Sequence, residues 1–234
     1  MPKRYWWVII TYIIMQYSAL LVVPILRDLL PFNPVDIVIY WSILSFALGL
    51  VIVLLLMRPD MKMSSARDAS GAGQIILWSF LGLFMAYFGQ GLAALIEMEI
   101  FGIDPGSENT QQIMDIARLT PLFMIVPAIF APILEEIIFR KIIFGEFHKR
   151  MNFFFAALLS AFVFGIIHGE PEHLLIYTAM GFVFAFLYVK TKRIIVPIIV
   201  HAAMNSLVVL AQYNMDPEEI ERILEELQFI LIGG

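Results

Sequence analysis

Stretches of about twenty mostly apolar residues follow one another along almost the whole chain, and a helix of that length is what crosses the hydrocarbon core of a bilayer. Seven segments approach it, at residues 5–26, 36–57, 74–98, 120–147, 152–168, 174–189 and 194–212. A soluble domain is excluded by amount as well as by pattern. With 61% hydrophobic and 15% charged residues, the 234-residue chain carries more apolar surface than a core of its size could hide. The sequence therefore predicts an all-α, polytopic transmembrane helical bundle of about seven to eight spans.

The charged residues give that bundle an orientation. With loops assigned alternately to the two sides, one side receives Lys3, Arg4, Arg58, Lys62, Arg67, Lys149, Arg150, Lys190, Lys192 and Arg193, and the other only Arg27, Arg118 and Arg222. The positive-inside rule then places the amino terminus in the cytoplasm and, after seven spans, the carboxyl terminus outside. The compact chain reads as a protein of a bacterial plasma membrane. A net charge of −5 argues against a nucleic-acid partner, which would want a basic face. The chain has no cysteine, so it has no disulfide framework, cysteine nucleophile or thiolate metal site. The first apolar run lacks an Ala-x-Ala-like cleavage site.

Three regions follow from this reading: membrane helices and loops over 1–118, a polar-bearing helical core over 119–212, and a tail over 213–234. The linker 58–73 reads as a cytoplasmic connector, and 102–119 as an external loop with a short helix. The tail opens on Asp216-Pro217-Glu218-Glu219, and Ile220, Ile223, Leu224, Leu227 and Leu231 recur at helical spacing, which predicts an amphipathic helix.

The informative residues are the polar ones inside the apolar segments. Glu135 and Glu136 stand side by side within 120–147, with Arg140 shortly after. A charged side chain near the bilayer centre costs at least about 2.5 kcal/mol, so such a cluster marks a functional site by default. Glu136 and Arg140 are four residues apart and share a helix face, where they can pair, while Glu135 is turned about 100° away. In the fifth segment Phe164 and His168 are one turn apart. In the seventh the same holds for His201 and Asn205, with small Ala202 and Ala203 between them.

Taken singly, each feature has a structural explanation: an ion pair that locks register, or a hydrogen-bonded packing histidine. Taken together they spell water-dependent amide hydrolysis. A carboxylate shielded from bulk water can serve as a general base, and a neighbouring His can orient the same water. Asn and His N–H groups can stabilise the oxyanion formed when water adds to a peptide carbonyl. A zinc ion on Glu135, His168 and His201 is the alternative way to activate that water. No His-Glu-x-x-His or Gly-x-Ser-x-Gly motif occurs, and the Asp residues lie in loops or at helix ends, away from an intramembrane aspartyl pair.

The ordered motifs Glu135-Glu136-Ile137-Ile138-Phe139-Arg140, Phe164-Gly165-Ile166-Ile167-His168 and His201-Ala202-Ala203-Met204-Asn205 resemble those of the CPBP family, also called Abi, which includes CAAX-processing endoproteases and bacteriocin-processing or immunity proteins. The resemblance runs over about 120–212. It implies an intramembrane endopeptidase with its site in a cavity between helices. Glu135 would activate water with help from His168, His201 and Asn205 would form the oxyanion hole, and Glu136 and Arg140 would support the site, without a required cofactor. The implied partners are the lipid bilayer and a membrane-anchored peptide or protein substrate, of CAAX type or like a leader peptide. Two other classes fit the same residues: a non-catalytic scaffold or immunity protein of the same fold, and a proton-coupled transporter. The transporter reading calls for paired repeats, and the sequence shows none.

Overall fold

The computed structural model describes residues 1–62, 69–104, 106–215 and 222. Among them there is no strand. The helices are α1 (Lys3–Tyr17), α2 (Ala19–Leu29), α3 (Pro34–Lys62), α4 (Ala72–Phe101), α5 (Glu108–Leu119), α6 (Pro121–His148), α7 (Phe153–Ile167), α8 (Leu174–Thr191) and α9 (Ile195–Asn214), with α6 an interrupted helix. The all-helical bundle expected from the apolar runs is present.

The span count is lower than expected. Among the described residues five helices, α3, α4, α6, α8 and α9, are long and apolar enough to cross a membrane, and α1 with α2 makes a sixth if a 45° bend is allowed within one span. The predicted first span is that bent pair, broken at Ser18. The predicted fifth span, 152–168, is the 15-residue α7, whose rise of about 22 Å falls short of the roughly 30 Å core. The short helix expected in the external loop is α5. The predicted tail helix lies outside the described residues.

Local signals set the boundaries. Ser107 caps α5 by accepting the Thr110 N–H, and Asn152 caps α7 by accepting the Phe155 N–H. Gly102, at φ 64°, ends α4 in the left-handed conformation that glycine adopts at no steric cost. The bend at Ser18 is tied down from α3: Trp41 Nε1 donates to Ser18 Oγ at 3.0 Å, and Ser45 Oγ donates to the Met15 carbonyl at 3.0 Å.

Two apolar clusters flank the polar residues. One joins α1, α3, α6 and α7 through Val8, Tyr12, Val53, Leu134, Phe139 and Phe164. The other joins α4, α8 and α9 through Ala86, Phe184, Leu187, Val196 and Val200. At Gly181, α8 meets α7 so closely that a Cβ would stand 2.5 Å from that of Ala161, and Arg140 Nη2 lies 3.6 Å from the same point. The candidate site occupies this seam.

Candidate active site

α6 carries the acidic residues and is not a regular α-helix. It winds as a π-helix over Val126–Phe130 and again over Glu136–Phe144, with α-helical Ala131–Glu135 between. Such i→i+5 winding is rare and concentrates at functional sites. One consequence of the winding can be traced to the sequence. Ala131 N–H bonds to the Val126 carbonyl five residues back, so in the same pattern the Pro127 carbonyl requires the N–H of residue 132. Residue 132 is proline and has none. The Pro127 carbonyl is instead satisfied from α9, by Asn205 Nδ2 at 2.9 Å. One amide proton of Asn205 is thereby engaged, and the carboxamide is held on α6.

Two partners meet at Glu136, which is fully buried. His201 Nδ1 stands 2.9 Å from Glu136 Oε1, and Arg140 Nη1 stands 3.0 Å from the same oxygen. The expected Glu136–Arg140 pair one turn apart on α6 is therefore present, and α9 is bound to it through His201. Arg140 Nη1 makes ionic contact without the alignment of a hydrogen bond, and Glu136 Oε2 and Arg140 Nη2 also find no aligned partner among the described residues. Aromatic faces compensate. The guanidinium lies 4.3 Å from the Phe164 ring centre and 4.9 Å from that of Phe184, between one ring of each apolar cluster. Phe184 also stacks on the His201 imidazole at 5.0 Å.

Glu135 is the less buried of the two carboxylates, with its side chain 13% exposed, and its Oε2 lies 3.7 Å from His201 Nε2. Hydrogen bonding fixes the tautomers. A carboxylate can only accept, so with Glu136 ionised His201 carries a proton on Nδ1 and turns Nε2 toward Glu135. His168 is half-buried at the end of α7. Its Nδ1 lies 2.7 Å from the Phe164 carbonyl, which also can only accept, so Nδ1 holds the proton and Nε2 is left as the acceptor. Of the six residues singled out in the sequence, Glu135, Glu136, Arg140 and His201 form one contiguous cluster. Asn205 is one turn beyond His201 on α9 and is held against α6, and His168 joins through Phe164, whose ring is 4.4 Å from His168 and 6.0 Å from His201.

Among the described residues, no three His, Asp or Glu side chains are gathered as metal donors. Glu135, His168 and His201, the set that zinc would need, are not drawn together in that way.

Comparison with known proteins places this geometry in a lineage. The chain is 47% identical to "Putative membrane peptidase YdiL" of Bacillus subtilis (strain 168) over 244 aligned positions, covering 100% of this chain and 99% of that one. It is 30% identical to "Membrane-embedded CAAX protease MroQ" of Staphylococcus aureus (strain USA300), covering 95% and 94% of the two chains. The family model for Type II CAAX prenyl endopeptidase Rce1-like proteins matches residues 117–207. The chain belongs to the Rce1-like CAAX protease family. That match contains all six residues above and leaves α1–α4 outside it. A local likeness to UPF0177 protein YxdF of Lactococcus lactis, 34% identical, covers a third of the chain. No solved structure matches. Family membership and the apolar helices make this an integral membrane protein and a membrane protease.

Other residues at the site of this CAAX protease family member carry weaker sequence signals. Phe184 has none beyond its apolar segment. Glu97 is an ionisable residue near the end of an apolar run, a signal of the same kind as Glu135. It is 2% exposed and accepts the Leu175 and Ile176 N–H groups at 3.0 and 3.2 Å, capping α8, with His173 Nδ1 at 3.0 Å. Glu170, in the turn after α7, serves the fold through its hydrogen bonds to Ser107, the Asn109 N–H and Tyr177. It is 5% exposed and ties α5 to α8. His173 is likewise buried, against Glu97, while Glu172 is exposed.

Proposed function

We propose that this protein hydrolyses a peptide bond of a membrane-associated substrate with a water activated by Glu135. The observation that carries the reading is the pairing of two adjacent carboxylates that differ in environment. Glu136 is consumed by Arg140 and His201, while Glu135, beside the imidazole, has no hydrogen-bond donor of its own among the described residues. A general base has to be free to take a proton, and Glu135 is the carboxylate placed to do so.

In this mechanism Glu135 removes a proton from water as the oxygen adds to the scissile carbonyl, and later delivers that proton to the leaving amine. His168 assists through its unprotonated Nε2. His201 donates to the oxyanion from Nε2 in its doubly protonated form, in which Glu136 on Nδ1 and Glu135 beside Nε2 are its counter-charges. Asn205 keeps its second amide proton for the same oxyanion. Glu136 and Arg140 hold His201 in place. The reaction as written needs no metal. The substrate class that fits is a membrane-tethered peptide, of CAAX type or resembling a leader peptide.

The test is turnover of a panel of membrane-tethered peptides by purified protein in proteoliposomes. Glu135→Gln is expected to lower kcat by about 10²- to 10⁴-fold, the range of a lost general base, while a strong chelator leaves turnover unchanged. Wild-type turnover by Glu135→Gln would refute the base assignment, and chelator-sensitive turnover restored by zinc would replace it with the metal mechanism. The loop charges and the bacterial relatives support a bacterial plasma membrane and a cytoplasmic amino terminus. The chain lacks cysteine, so single cysteines at Ala72 and Asp104, at opposite ends of α4, report the orientation by one-sided labelling. Ala72→Cys is expected to react only from the cytoplasmic side.

A further inference from the structure

Among the described residues His168 makes one hydrogen bond, from Nδ1 to the Phe164 carbonyl of its own helix, which holds one edge of the ring and leaves the direction of the opposite edge, with Nε2, to the packing on its faces. Tyr177, on the first turn of α8, holds it. The two rings are stacked, with centres 4.2 Å apart and planes 27° from parallel. The approach of the two elements depends on Gly165, where a Cβ would stand 3.3 Å from Tyr177 Cβ and 2.5 Å from Leu174 Cδ1.

Tyr177 is itself fixed at both ends. The backbone just before it is pinned by Glu97, which accepts the Leu175 and Ile176 N–H groups. Its hydroxyl donates to Glu170 Oε2 at 2.5 Å. Glu170 in turn accepts from Ser107 Oγ and from the Asn109 N–H at 2.9 Å each, at the start of α5. The phenol oxygen therefore cannot be displaced without breaking a buried carboxylate network, and the plane of the ring, whose own axis runs through that oxygen, is set by its packing against His168 and against the Phe164 ring at 6.2 Å.

We infer that Tyr177 is a positioning residue of the reaction: its anchored ring sets the plane of the His168 imidazole and so the direction of Nε2. The inference rests on the reading of His168 as the assisting base. The motif residues alone would not point to it, because Tyr177 lies in the 169–200 interval between the second and third motifs.

Four variants in one proteoliposome assay test it: Tyr177→Leu, Tyr177→Phe, His168→Ala and the double variant Tyr177→Leu/His168→Ala, each normalised to folded protein by its thermal unfolding. Tyr177→Leu is expected to lower kcat by about 10-fold or more with KM within about 2-fold, the signature of a misdirected group and not of lost binding. Tyr177→Phe keeps the stacked face but loses the hydroxyl tether, and is expected to be impaired by no more than about 3-fold, clearly less than the Leu variant. In the His168→Ala background, Tyr177→Leu is expected to add no further loss, because the two residues act as one unit. Losses that multiply, a Phe variant as impaired as the Leu variant, or a Leu variant at wild-type kcat would each overturn the inference. Wild-type turnover by His168→Ala would remove the role of His168 itself, a failure distinct from the others because it appears without any change at Tyr177.

Discussion

At Arg140 the guanidinium has one ion contact and two close aromatic rings, Phe164 and Phe184, with that of Phe139 farther off at 5.9 Å, in place of a full set of hydrogen bonds. That combination belongs to arginine, whose flat, weakly hydrated cation can be sandwiched, and not to lysine, a compact and strongly hydrated point charge. Arg140→Lys is accordingly expected to keep the charge and lose the packing. Losing two ring contacts at about 1–2 kcal/mol each should lower the unfolding temperature in detergent and reduce turnover; an unchanged melt would dismiss the sandwich as a source of stability. The pairing of Glu136 with Arg140 was legible because it needs only helical spacing. The third member, His201 Nδ1, and the rings of Phe164 and Phe184 were not, since a linear sequence does not say which faces of α6, α7, α8 and α9 meet. Burial did separate the two glutamates, in the direction that adjacency on a helix suggests.

The elements were harder to read than the residues, and α6 shows why. A uniform rise of 1.5 Å per residue sets Glu135 about 18 Å and His201 about 10 Å from the same membrane face, yet their side chains stand 3.7 Å apart. The count assumes regular helices of equal tilt that start level at the membrane face, whereas α6 is π-wound over Glu136–Phe144, between Glu135 and that face, and propensity carries no mark of such winding. Pro132 does carry one. Its missing N–H leaves the Pro127 carbonyl to Asn205, so the irregularity of one helix is what binds the other to it. Pro132→Ala would supply the absent donor. It is expected to leave the protein at least as stable, by removing a helix breaker, while cutting turnover several-fold as Asn205 loses its fixed acceptor. Parallel melts and rates decide this, and a variant that gains stability with full turnover would detach Asn205 from the chemistry.

For the whole molecule, the apolar runs announced a helical membrane protein, and the motifs announced a protease. They overstated the number of crossings because hydropathy cannot distinguish a full span from a bent pair such as α1–α2 or a shortened helix such as α7. The outer parts are joined at Glu170. Burial works to raise the affinity of its carboxyl for protons, but hydrogen bonds from Tyr177, the Asn109 N–H and Ser107 prevail and hold it below its ordinary value of 4.5. A lowered value in the folded state means that this tether stabilises fully above the unfolded value and is lost as pH falls through the lower one. Exchange protection of the Asn109 amide should therefore persist from neutral pH to below about 4.5 and then collapse, and Glu170→Gln should abolish that acid limb. A collapse beginning near pH 6 would implicate a different group. The shortness of α7 has a consequence of another kind. A 15-residue helix ending in His168 is mismatched to a full-thickness membrane, so acyl chains around it must compress or the bilayer must thin locally. Reconstitution into vesicles of progressively longer lipids should thus slow the enzyme as the mismatch grows, making the thickness of the surrounding membrane a determinant of how fast it works.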